Sequence, residues 1–256
     1  MAKIALITGA TTGIGYELAR CFAADGYELV LVARDAARLE EVAREMGTIS
    51  RSPVRVISAD LARPDSAWTI FEQVKTVDCL VNNAGFGVLG PFTDSNLSQE
   101  LEMIQVNATS LVHLTKLFLK GMRERGGGRI LNVASTAAFQ PGPLMAVYYA
   151  SKAFVLSFSE AIAEELRGSG ITVTVLCPGP TATEFVKRAR MEGTRLFRDK
   201  LLGLMSAREV AEMGYQAMMN GRVVVIPGLL NRLGVQVLRI SPRAMVRRVA
   251  RLLQES

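Results

Sequence analysis

A doubly wound, open parallel α/β sheet with helices on both faces is the fold class this sequence predicts, on three observations. Short apolar runs rich in β-branched residues alternate with helical patterns along most of the chain. The first run ends in a glycine-rich turn that opens a helix. Gly26, Gly170 and Gly221 directly follow helical patterns, where a left-handed residue commonly ends the helix. Strands apolar throughout, rather than at alternate positions, suit a parallel sheet covered on both faces. Right-handed crossovers between such strands generate the doubly wound order.

The elements follow in order. Strands are expected at residues 4–7, 29–33, 54–57, 77–81, 129–134, 171–176 and 223–226. Helices are expected at 14–24, through Leu39 and Val42, at about 97–122, at about 148–167 and near 207–219. Gly126-Gly127-Gly128 is a tight helix-to-strand turn, too short to separate domains. With no repeat and no linker, the chain reads as one domain, residues 1–256, with a core at about 3–226 and an extension at 227–256. In the extension, Ser241-Pro242 reads as the N-cap and first turn of a helix. Met245, Val246, Val249, Leu252 and Leu253 fall on one face of it and Arg243, Arg247 and Arg251 on another. Such a basic amphipathic helix suits either an anionic membrane surface or packing on the body or a second subunit. Packing is the commoner outcome and is the expectation.

Composition bounds the function. Of 256 residues, 49% are hydrophobic and 21% charged, with mean hydropathy +0.23, enough apolar material for a large core and too much for a disordered chain. Three cysteines do not make a disulfide framework, so a reducing cytoplasm is the expected compartment. His113 is the only histidine, which argues against a Cys/His zinc site and against a Ser-His-Asp triad on any other histidine. The opening Met1-Ala2-Lys3-Ile4 has no signal-peptide layout, and no apolar run is long enough to span a bilayer. A net charge of +6 permits anionic partners without naming one, and no nucleic-acid partner is expected.

Thr8-Gly9-Ala10-Thr11-Thr12-Gly13-Ile14-Gly15 joins the first strand to the first helix. Glycines let backbone approach a pyrophosphate, and the helix N-terminus favours its charge. The turn is followed, in order, by Asn82-Asn83-Ala84-Gly85, Asn107, Ser135, Tyr148-x-x-x-Lys152 and Pro178-Gly179. This series, spanning Lys3 to about Ile226, resembles the short-chain dehydrogenase/reductase family. The resemblance implies a Rossmann-type sheet of seven strands, an NAD(P)(H) coenzyme and carbonyl/alcohol redox chemistry. It implies coenzyme contacts from Gly9, Thr11, Thr12, Gly13, Ile14 and Gly15, from Asp60-Leu61 at the adenine, and from Asn83-Ala84-Gly85 at the adenosine ribose. It further implies contacts from Tyr148, Lys152, Pro178, Gly179, Thr181 and Thr183 around the nicotinamide and pyrophosphate.

Coenzyme preference rests on charge. The second strand ends in Arg34, followed by Asp35. A guanidinium suits a 2′-phosphate, whereas NAD sites usually place a carboxylate there. Arg38, one turn on, would add field, and Asp35 is read alternatively as a helix cap. NADP(H) is expected, with NAD(H) left open.

Carbonyl reduction needs a proton donor beside the hydride donor. A tyrosine with a lysine at i+4 supplies it, since the ammonium favours tyrosinate. Tyr148 and Lys152 have that spacing, but Tyr149 stands at i−3 from the same lysine and geometry alone allows that pair too. Only the family pattern selects Tyr148, leaving Tyr149 as a packing or interface residue. The resemblance makes Ser135 the group that bonds the substrate oxygen and Asn107 part of a water relay to Lys152.

Residues 184–205 should cover the pocket, mixing Phe185, Met191, Leu196, Phe197, Leu201 and Leu204 with Lys187, Arg188, Arg190, Arg195, Arg198 and Lys200. That mixture suits a lipophilic carbonyl substrate with an anionic handle, or simply an amphipathic lid with a solvated basic face. Other walls are expected from residues 86–89 and 139–147. The apolar 97–122 and 148–167 helices are those that family members pair across subunits, implying a homodimer or homotetramer. Non-catalytic NADP(H) sensing is the alternative function, and epimerase or dehydratase chemistry at the same site a weaker one.

Overall fold

The computed structural model describes residues 2–50, 52–189, 191, 193–195 and 204–255. Seven parallel strands form the sheet: β1 (Ile4–Thr8), β2 (Glu28–Ala33), β3 (Val54–Ser58), β4 (Cys79–Asn82), β5 (Gly128–Val133), β6 (Ile171–Leu176) and, after a small ribbon, β9 (Val224–Val225). Their order is β3-β2-β1-β4-β5-β6-β9, the doubly wound arrangement. The ribbon pairs β7 (Thr181–Ala182) with β8 (Met205–Ser206).

Alternate residues of each strand enter different cores, which is why the strands read as unbroken apolar runs. Ala5, Ile7, Leu29 and Leu31 pack beneath α1 (Gly13–Ala24), α2 (Ala36–Ile49) and α8 (Ala207–Met219). Leu6, Val30, Val32 and Leu80 face α3 (Ser66–Val74) and α5 (Ser110–Glu124), while Val175 meets α6 (Ala146–Glu165). The helix α3 was not foreseen, and the fourth strand begins two residues later than expected and runs into Asn82. That polar residue is accommodated by a buried network. Its Nδ2 donates to Thr115 Oγ1 (3.1 Å) and Asn132 Oδ1 (2.9 Å), and Asn132 Nδ2 donates to Ser159 Oγ (2.9 Å). The three cysteines are free, Cys79 and Cys177 buried and Cys21 partly so.

Two expectations change. The helix expected at 97–122 is interrupted: α4 (Leu97–Ile104) passes through a π-helical turn, Gln105–Thr109, into α5. Asn107 sits in that turn with its carboxamide bonded to both main-chain groups of Phe86, accepting from N–H and donating to the carbonyl at 3.0 Å each. A π-turn inside a helix widens one turn by a residue, and here it lets this side chain face the neighbouring loop.

The second change concerns the extension, which forms two helices, α9 (Leu229–Ile240) and α10 (Arg243–Gln254). Ser241 does not cap α10; it closes α9, its hydroxyl donating to Val237 O at 2.7 Å. The packed face of α10 is Val246, Ala250 and Gln254, whereas Met245, Val249 and Leu252 are exposed. Among the described residues no helix is long and apolar enough to cross a membrane.

Candidate active site

The strand order reverses between β1 and β4, and at the carboxyl ends of β1, β4, β5 and β6 lies a cavity of about 260 Å³. Ligand crevices of doubly wound sheets form at such a reversal because the adjoining loops diverge to opposite faces.

The glycine-rich turn forms one wall. Gly9 (φ 66°) and Gly13 (φ 59°) occupy the left-handed region, and Gly9 N–H donates to Val32 O at 2.8 Å. At Gly15 a Cβ would lie 2.3 Å from Gly9 O and 2.4 Å from Asn83 Nδ2, so only glycine fits. Asn83 closes this contact by donating Nδ2 to Thr8 O (3.0 Å) and Gly9 O (3.1 Å). Thr8 Oγ1 accepts from Asn83 N–H and Ala84 N–H and donates to Val81 O. Asn83 thus ties β1 to β4, and its amide nitrogen is committed to the frame although the residue also lines the cavity. Gly9, Thr11, Thr12, Gly13, Ile14, Ala84 and Gly85 share that lining. Thr12, preceding α1, makes no side-chain cap, so no hydroxyl closes the helix N-terminus at the cavity.

Opposite stand Ser135, Tyr148 and Lys152. Ser135 follows β5, where its Oγ accepts from Ala137 N–H at 3.1 Å and donates to Pro178 O at 3.4 Å, beside the Tyr148 hydroxyl whose ionisation it favours. Burial pushes the Tyr148 phenol well above its usual range, and the Ser135 bond recovers only part of that shift. The expected acidification by Lys152 is not among the influences on the phenol here; burial raises it, Ser135 lowers it and Tyr149 raises it. Lys152 is 5% exposed, its Nζ donating to Val133 O at 2.9 Å and standing 5.9 Å from the Tyr148 ring centre. Burial pushes its ammonium down to about 8. Asn107, expected in a relay to Lys152, has its carboxamide tied to Phe86 and donates from Nδ2 to Ser151 Oγ at 3.0 Å.

Pro178, Gly179, Thr181 and Thr183 line the cavity after β6, with Thr181 Oγ1 donating to Gly179 O at 2.9 Å. Arg34, Asp60 and Leu61 lie outside the cavity. Arg34 is exposed at the end of β2 and makes no ion pair among the described residues. Asp35 caps α2, accepting from Arg38 N–H at 3.0 Å. Arg38 adds no free field, because its guanidinium is held by Glu41 (2.7 Å) and Glu45 (3.4 Å). Asp60 Oδ1 accepts from Ala62 N–H, and Leu61 is buried.

Phe185, Val186 and Met191 form an apolar wall with Phe86 and Met145. Arg190 and residues 196–203, and the side chains of Lys187 and Arg188, lie outside the described residues. A further wall was not expected: Ala250, Leu253 and Gln254 of α10 line the same cavity. Gln254 Nε2 donates to the Tyr149 hydroxyl at 2.6 Å, and its Oε1 is buried without a partner. Tyr149 thus packs under α10 and lines the cavity together with Tyr148, which stands nearer Ser135. The i, i+4, i+8 spacing of 246, 250 and 254 could have marked this face, but its small and polar residues hid it beside the row of Met245, Val249 and Leu252.

Comparisons with known proteins agree with this fold. The family model described as short chain dehydrogenase matches residues 3–193. The ketoacyl reductase HetN of Nostoc is 30% identical over 256 residues, covering 96% of this chain and 87% of that one. Mouse 17-beta-hydroxysteroid dehydrogenase type 3 is 39% identical over 197 residues, 73% of this chain but 63% of the relative. A Sphingobium yanoikuyae short-chain dehydrogenase solved in complex with NADPH superposes with TM-score 0.81 at 31% identity, covering 94% and 97% of the two chains.

Tyr149→Phe should destabilise the chain by about 1–3 kcal/mol in urea unfolding, since it leaves the buried Gln254 amide without its partner. Adding Gln254→Leu should recover most of that loss, and simple additivity of the two costs would refute a direct bond. Lys152 supplies a pH test. Its folded value near 8 lies below the unfolded value of roughly 10.4, so between them the unfolded chain holds the extra proton and stability rises with pH. Below pH 8 the burial penalty is fully present. Lys152→Met should therefore gain about 2 kcal/mol on the unliganded wild type at pH 7 and lose most of that advantage by pH 10. An advantage independent of pH would refute the desolvation argument.

Proposed function

The chain belongs to the short-chain dehydrogenase/reductase family, and from that membership we propose that it is an NADP(H)-dependent oxidoreductase interconverting a lipophilic carbonyl compound and its secondary alcohol. The observation that carries this reading is the meeting of the Ser135 hydroxyl, the Tyr148 phenol and the Lys152 ammonium in one cavity opposite the glycine cradle. The cradle suits a pyrophosphate. Its left-handed Gly9 and Gly13, the uncapped start of α1 and the closeness of Gly15 to Asn83 leave main chain, not side chains, at the wall. Pro178, Gly179, Thr181, Thr183 and Lys152 would hold the nicotinamide half. When bound, the coenzyme supplies or accepts the hydride.

The remaining work falls to the chain. Ser135 Oγ holds the substrate oxygen beside Tyr148 Oη. The phenol, kept protonated at neutral pH by burial, gives its proton to that oxygen in reduction and recovers it in oxidation. Lys152, fixed on Val133 O, lowers the cost of the tyrosinate left behind. Asn107 is a positioning residue, holding Phe86 and Ser151 rather than carrying protons. Phe86, Met145, Phe185 and Leu253 exclude water and favour an apolar substrate. The named steroid and ketoacyl relatives support that substrate class.

Exposed Arg34, without an ion pair among the described residues and with Asp35 committed to a cap, supports a 2′-phosphate over a bare ribose. Exposed Leu97, Leu101, Ile104 and Phe154 on α4, its end and α6 support a homo-oligomer.

In a panel of steroid, ketoacyl and simple ketone substrates with NADPH, Tyr148→Phe should lower kcat about 10²–10⁴-fold while Tyr149→Phe stays within about tenfold. Loss confined to Tyr149→Phe would reverse the assignment. Arg34→Ala should raise the KM for NADPH about tenfold or more and leave that for NADH unchanged; equal effects on both would remove the phosphate contact.

A further inference from the structure

The two helices after the sheet carry charge and apolar surface that the reaction does not use. Residues 227–256 hold six arginines (Arg232, Arg239, Arg243, Arg247, Arg248 and Arg251) against a single acidic side chain, Glu255, in a chain whose net charge is +6. Among the described residues only Arg251 has an ion pair there, with Glu255 at 2.9 Å. Along α9, Leu229, Leu233, Val237 and Ile240 recur at helical spacing and all are exposed, Leu229 by 71% and Ile240 by 86%. Met245, Val249 and Leu252 make a second exposed row on α10.

On α10 the surfaces divide the helix into three sectors. Val246, Ala250 and Gln254 pack inward, Arg247 and Arg251 occupy the next sector, and the exposed row lies beyond Arg248. Large apolar side chains in rows on water are unfavourable, and rows of this kind rimmed by cations mark a surface that acquires a cover. A second copy is a poor cover, because a two-fold contact would bring the same arginines together with little acid to neutralise them. An anionic lipid headgroup layer complements both features at once.

We propose that α9 and α10 form a peripheral docking element for an anionic lipid bilayer. The apolar rows enter the boundary between headgroups and acyl chains, and the arginines hold the lipid phosphates. Because Ala250 and Leu253 of α10 also line the cavity, the docked helix stands between the bilayer and the pocket. An apolar substrate dissolved in lipid then has a short route to the reacting groups. The element lies on the surface and does not span it.

Vesicle flotation of the full chain tests this, using phosphatidylcholine vesicles with and without phosphatidylglycerol. The chain should float with the phosphatidylglycerol vesicles, much less with phosphatidylcholine alone, and be released at roughly 1 M salt. R247E/R248E should weaken binding about tenfold or more, and so should M245S/L252S, with circular dichroism and coenzyme binding unchanged. R239E/R243E is an independent pair on other exposed positions, so a folding defect in one variant does not decide the outcome. Failure to float with anionic vesicles, equal binding to both compositions, or undiminished binding by the folded charge-reversal variants would overturn the proposal. So would variants that change the oligomeric state while leaving flotation intact, which would assign the face to a second copy. The docking stands apart from the proposed reaction. A chain that floats but turns over no carbonyl refutes only the reaction, and an active chain that does not float refutes only the docking.

Discussion

The close approach of two backbones at the end of β1 and β4 is the constraint on which the site depends. Gly15 packs against Gly9 O and Asn83 with no room for a side chain, and Asn83 returns two hydrogen bonds to Thr8 and Gly9. Those bonds occupy main-chain carbonyls at the end of β1 and just beyond it, which allows the turn to be buried. They also fix where α1 begins, and hence where its unpaired N–H groups point. Loosening this contact would move the coenzyme wall relative to Ser135 and Tyr148, which are held from the other side by β5 and α6.

Across the cavity the balance is electrostatic. Lys152 is buried and Tyr148 half-buried in the unliganded chain, and desolvation moves each toward its neutral form. Proton transfer requires the opposite polarity, a charged lysine beside a phenol that can ionise. The frame therefore holds the two groups in reach of each other while their environment opposes the charged pair, and the pair gains most when an anionic coenzyme and a polar substrate oxygen enter. The rigidity comes from ordinary bonds: Lys152 on Val133 O, Ser135 on Ala137 N–H, and Asn107 on Phe86.

The C-terminal helices tie surface chemistry to this interior. One face of α10 completes the cavity and bonds Tyr149 through Gln254, while its other faces carry the arginines and the exposed apolar row. A single helix of twelve residues thereby touches both the pocket and the solvent. Movement of α10 would be felt at the substrate wall directly, without any relay through the sheet.

Much of this was legible in the linear pattern. The strands were readable because both of their faces are covered, which leaves runs of Val, Ile and Leu that no surface element needs. The glycine turn, Ser135 and the Tyr148-x-x-x-Lys152 spacing were readable because backbone clearance and helix periodicity are local properties. Other features required the fold. The clamp of Asn107 on Phe86 was not legible, because its partner lies 21 positions away in sequence. Arg38 lost its assigned part to Glu41 and Glu45, while Asp35 took the helix cap read as its alternative, outcomes decided by geometry on one helix. Spacing from Lys152 allows Tyr148 and Tyr149 alike, both line the cavity, and the packing of α10 against Tyr149 is visible only in the fold. Local sequence dictated which groups were present and which elements carried them. Tertiary packing decided which faced the cavity, because burial and partner distance arise only when distant segments meet.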